Sequence, residues 1–267
     1  KVAQTRNNNM HIVFNNLGVA SEKAGKDKQA LKFWKQALEK NPGLPETHVN
    51  MGVVYEKMGQ KKKAIAVYQK ALELDKTNAM AHYNLGVIYA KEKDYPKAID
   101  EWETALKFDR KDESILNSLA WGYEKLGKRK KALAKLKQSI KLSPYDSKTH
   151  FSSGRIKYDL EDFDEAIESF KKAVQLDPSF GEAYYRLGLT YDIQNQSYDA
   201  ISNLLVTELV FHKAKKMDLF KKTRSVLESL FAKYQASRED FKDLQVPETL
   251  KGYDLHKRNQ IRTSKEK

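Results

Sequence analysis

The pattern of apolar and polar positions along this chain repeats every 34 residues. A small residue recurs at Gly18, Gly52, Gly86, Ala120, Gly154 and Gly188, and an alanine at Ala30, Ala64, Ala98, Ala132, Ala166 and Ala200. Four residues after each alanine stands a bulky one: Trp34, Tyr68, Trp102, Leu136, Phe170 and Leu204. Tyr55, Tyr89, Tyr123 and Tyr191 follow the small residue by three. Six copies in one frame, without insertion or deletion, mark an array of equal structural modules. Numbered from residue 11, positions 4, 7, 8 and 11 of each copy fall on one face of a 3.6-residue period, which predicts a first helix. The alanine and its bulky follower predict a second, which the small residue at position 8 lets approach closely at position 20. Gly25, Gly59 and Gly127 between the two suit a helix C-cap in the left-handed region. Pro42, Pro144 and Pro178 stop the second helix, because proline cannot continue one. No copy can bury its apolar face alone, so stacking of neighbours supplies the core.

These residues resemble the tetratricopeptide repeat (TPR), whose pattern is W-x2-L-G-x2-Y, then A-x3-F, then P. The third copy reads His82-x2-Leu85-Gly86-x2-Tyr89 and Ala98-x3-Trp102. The closing proline is replaced by Lys76, Arg110 and His212 in the other three copies. The resemblance covers residues 11–214, as copies 11–44, 45–78, 79–112, 113–146, 147–180 and 181–214. It implies an all-α fold, a right-handed superhelical solenoid of six TPR helix-turn-helix units, and a concave groove that binds a peptide or helix of a partner protein. It also implies a scaffold rather than an enzyme. Bacterial members of the family serve in envelope assembly, pilus biogenesis, motility and polarity complexes, so membership of such a multiprotein assembly is a further expectation.

Outside the copies, residues 1–10 read as an N-terminal arm. Phe220, Leu227, Leu230, Phe231 and Tyr234 recur at helical spacing and predict a C-terminal capping helix over residues 215–236. Residues 237–267 have little periodicity and contain Pro247 and Gly252, which reads as a basic tail, disordered or ordered only on binding.

At 100° per residue, positions 2, 6, 9 and 13 of the first helix point away from its packed face, with 5 and 12 beside them. This face is expected to line the groove. Position 6 carries Asn16, Asn50 and Asn84, whose amides could pair with the backbone of an extended peptide. Position 13 carries Lys23, Lys57, Lys91 and Lys125, which would favour an anionic ligand, although Glu22, Glu56 and Glu124 blunt three of them. Position 9 is the more informative, with Val53, Val87, Trp121 and Arg155 where the family more often has a polar residue. Together with Met80, Tyr83, Phe151 and Tyr185 at positions 2 and 5, and Arg186 at position 6, it makes an apolar and aromatic stripe on a face expected to be wet. The competing account is that the valines fill contacts between neighbouring first helices. The clamp by which some family members hold a chaperone's terminal carboxylate falls on Asn117, Trp121, Ser152, Glu182 and Arg186, of which Arg186 alone has the required side chain.

Composition narrows the chemistry. With no cysteine, the chain has no disulfide, thiolate zinc site, iron–sulfur cluster or cysteine nucleophile. The compartment stays open, the cytoplasm being slightly favoured over the periplasm. His48, His82 and His150 share position 4 of separate copies, about 10 Å or more apart at helix packing distances, too far for one metal. They read as packing residues. The acids between Asp159 and Glu165 lack the glycine and spacing of a calcium loop, and complement the dipole of the helix they begin. No catalytic motif is present, and neither a metal nor a cofactor is expected. No uncharged apolar run reaches the roughly 18 residues of a membrane span.

The net charge of +13 raises nucleic acid or an anionic membrane as the alternative partner. Residues 213–267, however, hold 15 basic against 8 acidic residues, so +7 of the excess lies beyond the copies. The run from Lys125 to Lys141 is basic but local. Self-assembly into a homo-oligomer, with one copy's end entering another's groove, is a third possibility.

Overall fold

A computed structural model of the chain describes residues 9–250. The expectations for residues 1–8 of the arm and 251–267 of the tail lie outside the described residues. Within them are thirteen α-helices, two 3₁₀ turns and no strand. Six helix pairs follow the sequence period: α1 (Met10–Lys23) with α2 (Asp27–Lys40), α3 (Pro45–Lys57) with α4 (Lys61–Leu74), and α5 (Ala79–Lys91) with α6 (Tyr95–Phe108). Next come α7 (Glu113–Lys125) with α8 (Arg129–Leu142), α9 (Ser147–Tyr158) with α10 (Phe163–Leu176), and α11 (Gly181–Ile193) with α12 (Ser197–Lys213). A last helix, α13, spans Met217–Tyr234. The fold is an all-α helical repeat. It divides into two bodies, residues 1–132 and 133–267, with α8 running across the division.

Local chemistry sets the helix boundaries. Asn78 accepts a hydrogen bond from the backbone N–H of Ala81 at 2.9 Å, and Asp112 from those of Ser114 and Ile115 at 2.7 and 3.1 Å. These N-caps satisfy amides that the first turn leaves without helical partners. Within each pair the turn reverses at position 15, where Gly25, Gly59 and Gly127 have φ of 72°, 72° and 69°. Lys93, Glu161 and Asn195 adopt the same left-handed conformation, at 64°, 64° and 58°, without being glycine. The turn is therefore imposed by the packing of the pair and not by glycine alone.

The small residue at position 8 makes room chiefly for the bulky residue at position 24. A Cβ on Gly52 would lie 2.3 Å from the Tyr68 ring, and one on Gly86 2.5 Å from the Trp102 indole. The expected approach at position 20 is present but secondary: the same Gly86 Cβ would sit 3.0 Å from the Ala98 carbonyl oxygen.

From the second copy on, each first helix also has a second buried face, at positions 3 and 10, beside the expected one at 4, 7, 8 and 11. Thr47, Ala81, Ile115, Thr149 and Ala183 at position 3 are buried, as are Val54, Ile88 and Ile156 at position 10. This face meets the preceding pair: a Cβ on Gly122 would lie 2.9 Å from Ile99 and 3.0 Å from Trp102. In the first copy the equivalent Val13 is 49% exposed.

The C-terminal body ends differently from a tail. α12 has 17 residues where α2, α4, α6 and α10 have 14, and Leu204 to Phe211 are buried on all sides of it. α13 covers one side with Leu227 and Leu230, and its end is fixed by Lys233 and Tyr234, which donate to Asp192 at 2.6 and 2.7 Å. Residues 237–250 cover another side. Phe241 stacks on Tyr198 with centroids 5.2 Å apart, and Leu250 packs against the cluster of Leu209 and Val210. Arg238 donates from its two terminal guanidinium nitrogens to the buried carboxylate of Glu208, at 2.8 and 3.0 Å. The expected tail thus begins as an ordered strap, because four apolar side chains and one ion pair offset the cost of fixing a short irregular segment.

Candidate functional site

The candidate residues fall into two surroundings. In the N-terminal body, α5, α6 and α7 line an open cavity of about 640 Å³ whose walls include Val87, Tyr95, Trp102, Ser118 and Trp121. Trp102 is the floor, almost wholly buried, with its indole N–H donating to the backbone oxygen of Tyr83 at 3.1 Å. Trp121 stands over it, 39% exposed, edge-on both to Trp102 (6.3 Å, 68°) and to Tyr95 (5.5 Å, 81°). Lys125 lies 5.5 Å from the Trp121 ring centre. A wide, partly wet aromatic surface with a basic rim results, suited to an apolar or aromatic side chain.

In the C-terminal body, α9, α11, α12 and α13 enclose a cavity of about 370 Å³. Phe151, Arg155, Tyr185 and Arg186 line it, joined by Lys222 and Phe211 from outside the first helices. Phe151 is held between Phe180 and Phe170, at 4.8 and 5.8 Å. The Arg186 guanidinium sits 5.8 Å over the Tyr158 ring and Lys222 Nζ 5.7 Å over that of Tyr185. Burial raises the Tyr185 phenol above its usual pKa, Arg186 opposing the shift, so the phenol stays protonated at neutral pH.

The remaining candidates line neither cavity. Val53 and Met80 are exposed, at 44% and 57%. Asn16 is exposed and Asn50 half-buried, whereas the amide nitrogen of Asn84 is buried with no hydrogen-bond partner among the described residues. Tyr83 accepts a long hydrogen bond, 3.4 Å, from the Ser118 hydroxyl of the next copy.

The position-13 lysines, expected to favour an anionic ligand, and the position-4 histidines, expected to pack, both serve the architecture. Lys57 pairs with Asp27 at 3.0 Å and Lys91 with Glu56 at 2.9 Å, each joining one copy to the one before. Glu56 also accepts from the Tyr68 hydroxyl at 2.8 Å. Half of the position-13 lysines are therefore engaged between copies. The position-4 histidines tie the first helix to the preceding turn: His82 Nε2–H donates to the Lys76 carbonyl at 3.3 Å, His150 to that of Pro144 at 3.0 Å, and His48 bonds that of Pro42. Glu101 accepts from His82 Nδ1 at 2.7 Å, so both ring nitrogens face acceptors and the pKa is raised. His48 moves down, mainly through burial. Among the described residues no three His, Cys, Asp or Glu side chains gather as a metal site requires, and no helix is long and apolar enough to cross a membrane.

Leu219 and Lys222 lie beyond the last copy, on α13, and Phe211 on the second helix of the sixth copy, so a search of the first helices does not reach them; the basic and apolar alternation of α13 is the signal available.

Known families match where the period does. A TPR repeat model matches residues 57–92 and 154–192, and two tetratricopeptide repeat models match residues 79–112 and 33–66. The chain belongs to the tetratricopeptide-repeat family. Among solved structures it is similar to YrrB, described as a TPR protein with an unusual peptide-binding site. The two are 27% identical, over 68% of this chain and 97% of that one, with a TM-score of 0.60. A MamA double mutant is 25% identical over 64% of this chain and 96% of its own, with a TM-score of 0.58. PilF of Pseudomonas aeruginosa, 17% identical, shares the fold over 82% of this chain and 98% of its own, with a TM-score of 0.69. No curated protein matches the chain. The fold and family are those of a protein-interaction scaffold.

Proposed function

We propose that the chain is a non-enzymatic scaffold that takes a peptide or helix of a partner protein along positions 2, 5, 6 and 9 of its first helices, the concave groove of its family. The supporting observation is Trp121. Its indole is held in place by Tyr95 and Trp102 while 39% of the residue faces solvent above an open cavity. A fixed aromatic surface of this kind loses little conformational entropy on contact and carries a large share of interface energy. The peptide-binding site described for YrrB supports the same reading by similarity. The proposal extends to membership of a multiprotein assembly, for which the envelope, pilus, motility and polarity complexes of the family's bacterial members are the precedent. Charge-driven binding to nucleic acid or membrane has less support, since Lys57 and Lys91 are engaged between copies.

Site-specific photo-crosslinking in the cells that make the protein tests this. A photoreactive residue at Val53 or Val87 is expected to give a discrete crosslinked partner, and one at exposed Lys107 or Gln138 to give none. Equal yields at all four positions remove the reading.

A further inference from the structure

We infer that the C-terminal cavity is a subsite for an acidic side chain flanked by an apolar residue of the partner segment, and that α13 serves as one of its walls as well as capping the repeats. The inference rests on the scaffold reading and specifies which chemistry the partner brings. Arg155, Arg186 and Lys222 line a space of about 370 Å³ together with Glu182, whose carboxylate already accepts from Lys216 at 3.0 Å. The other walls, Phe151, Tyr185, Phe211 and Leu219, are aromatic or aliphatic.

Cations beside apolar walls match a ligand with a carboxylate next to an apolar group, and they repel a basic one. The chain's own end is the weaker occupant, because residues 251–267 hold six basic and two acidic residues and their net charge opposes binding here. The space is too small for a groove tracking a polynucleotide backbone, and three cations in one pocket meet one or two anionic groups. Two of the four helices lining it, α12 and α13, contribute residues no first helix supplies: Phe211, Leu219 and Lys222.

The test is selection of peptides from a random dodecamer display library by the full chain, followed by affinity measurement of the selected peptides on variants. Enrichment of Asp or Glu next to an apolar residue is expected. Affinity should fall at least about tenfold in Lys222→Gln and in Arg186→Gln, and further in the reversal Lys222→Glu. Lys222 is exposed, so its variants should melt with the wild type; Arg186 is half-buried, and a melting scan of Arg186→Gln separates lost affinity from lost stability. Selected peptides without acidic residues, or acidic ones indifferent to both variants, overturn the inference. If such peptides still weaken in Trp121→Ala, the scaffold reading stands. A library that yields no binder overturns both. Tight binding of a random fluorescent oligonucleotide, abolished by Lys222→Gln, also overturns it, because the anion would then be a phosphate.

Discussion

The ring of Trp121 meets that of Trp102 edge-on, with centroids 6.3 Å apart and planes inclined at 68°. Trp102 is 2% exposed and fills the space above Gly86; Trp121 is 39% exposed and touches solvent. The two rings share a contact but carry different loads, one closing a helix pair and the other facing outward. Trp102→Ala is expected to cost about 3–5 kcal/mol of stability, as large core truncations do. Trp121→Ala should cost less, about 2 kcal/mol, the worth of its two edge-on pairs with Trp102 and Tyr95. Chemical denaturation of the two variants checks the contrast.

Gly52→Ala should be costly, because its Cβ would lie 2.3 Å from the Tyr68 ring and overpacking typically costs about 1–3 kcal/mol. Gly59→Ala meets nothing within 4 Å and suffers only from its φ of 72°, about 1 kcal/mol. The converse holds at the equivalent position of the fifth copy. Glu161→Gly removes a strained φ of 64° and should stabilise by about 0.5 kcal/mol. Melting temperatures of the three rank the contributions of clash and backbone.

Arg238→Ala leaves the Glu208 carboxylate buried without its bidentate partner, and should destabilise by about 3 kcal/mol. Adding Glu208→Leu should recover most of the loss, since no charge then remains buried. Urea denaturation of the single and double variants decides whether the strap is held by this pair; a silent single variant would show that it is not.

His82 carries a pH dependence of definite sign. Its hydrogen bond to Glu101 raises the folded pKa above the usual value of about 6.5, so the folded state binds the proton more tightly than the unfolded chain does. The stability this contributes is complete below pH about 6.5 and is lost as the pH rises through the raised value. Glu101→Gln should return the His82 imidazole towards 6.5, read from its NMR titration. His48 has the opposite sign: burial lowers its pKa, and its contribution is lost on acidification. Resonance-by-resonance titration separates the two, which a melting curve would merge.

The pairing of helices and their turns was legible because position 8, position 20 and position 24 are chemically marked in every copy. Positions 3 and 10 were not, although they are equally buried. At position 3, Thr47, Ala81, Thr149 and Ala183 are small or hydroxylated and announce no apolar period, whereas Val54, Ile88 and Ile156 at position 10 are apolar but lie off the face of positions 4, 7, 8 and 11. The surface between neighbouring copies needs small side chains for close approach, and smallness leaves a weak hydrophobic signal. The lysines of position 13 read as a ligand-facing ladder because Asp27 and Glu56, their partners, lie 30 or more residues away. The strap was read as tail for a related reason: Phe241, Leu244, Val246 and Leu250 bury themselves on α12 without any helical spacing. Of the candidate site, the position-9 and position-5 aromatics were visible as residues on a face. Their grouping into two separate cavities depends on α6, α12 and α13, which the first-helix frame leaves out.

The central claim, that Trp121 is a binding residue placed on a stable frame, is tested most directly by one paired measurement. Affinity for a captured partner and the melting temperature are measured side by side for the wild type and Trp121→Ala. The account predicts at least a tenfold loss of affinity, about 1.4 kcal/mol, with a melting temperature lowered by only a few degrees. Unchanged affinity in a variant that still folds would contradict it.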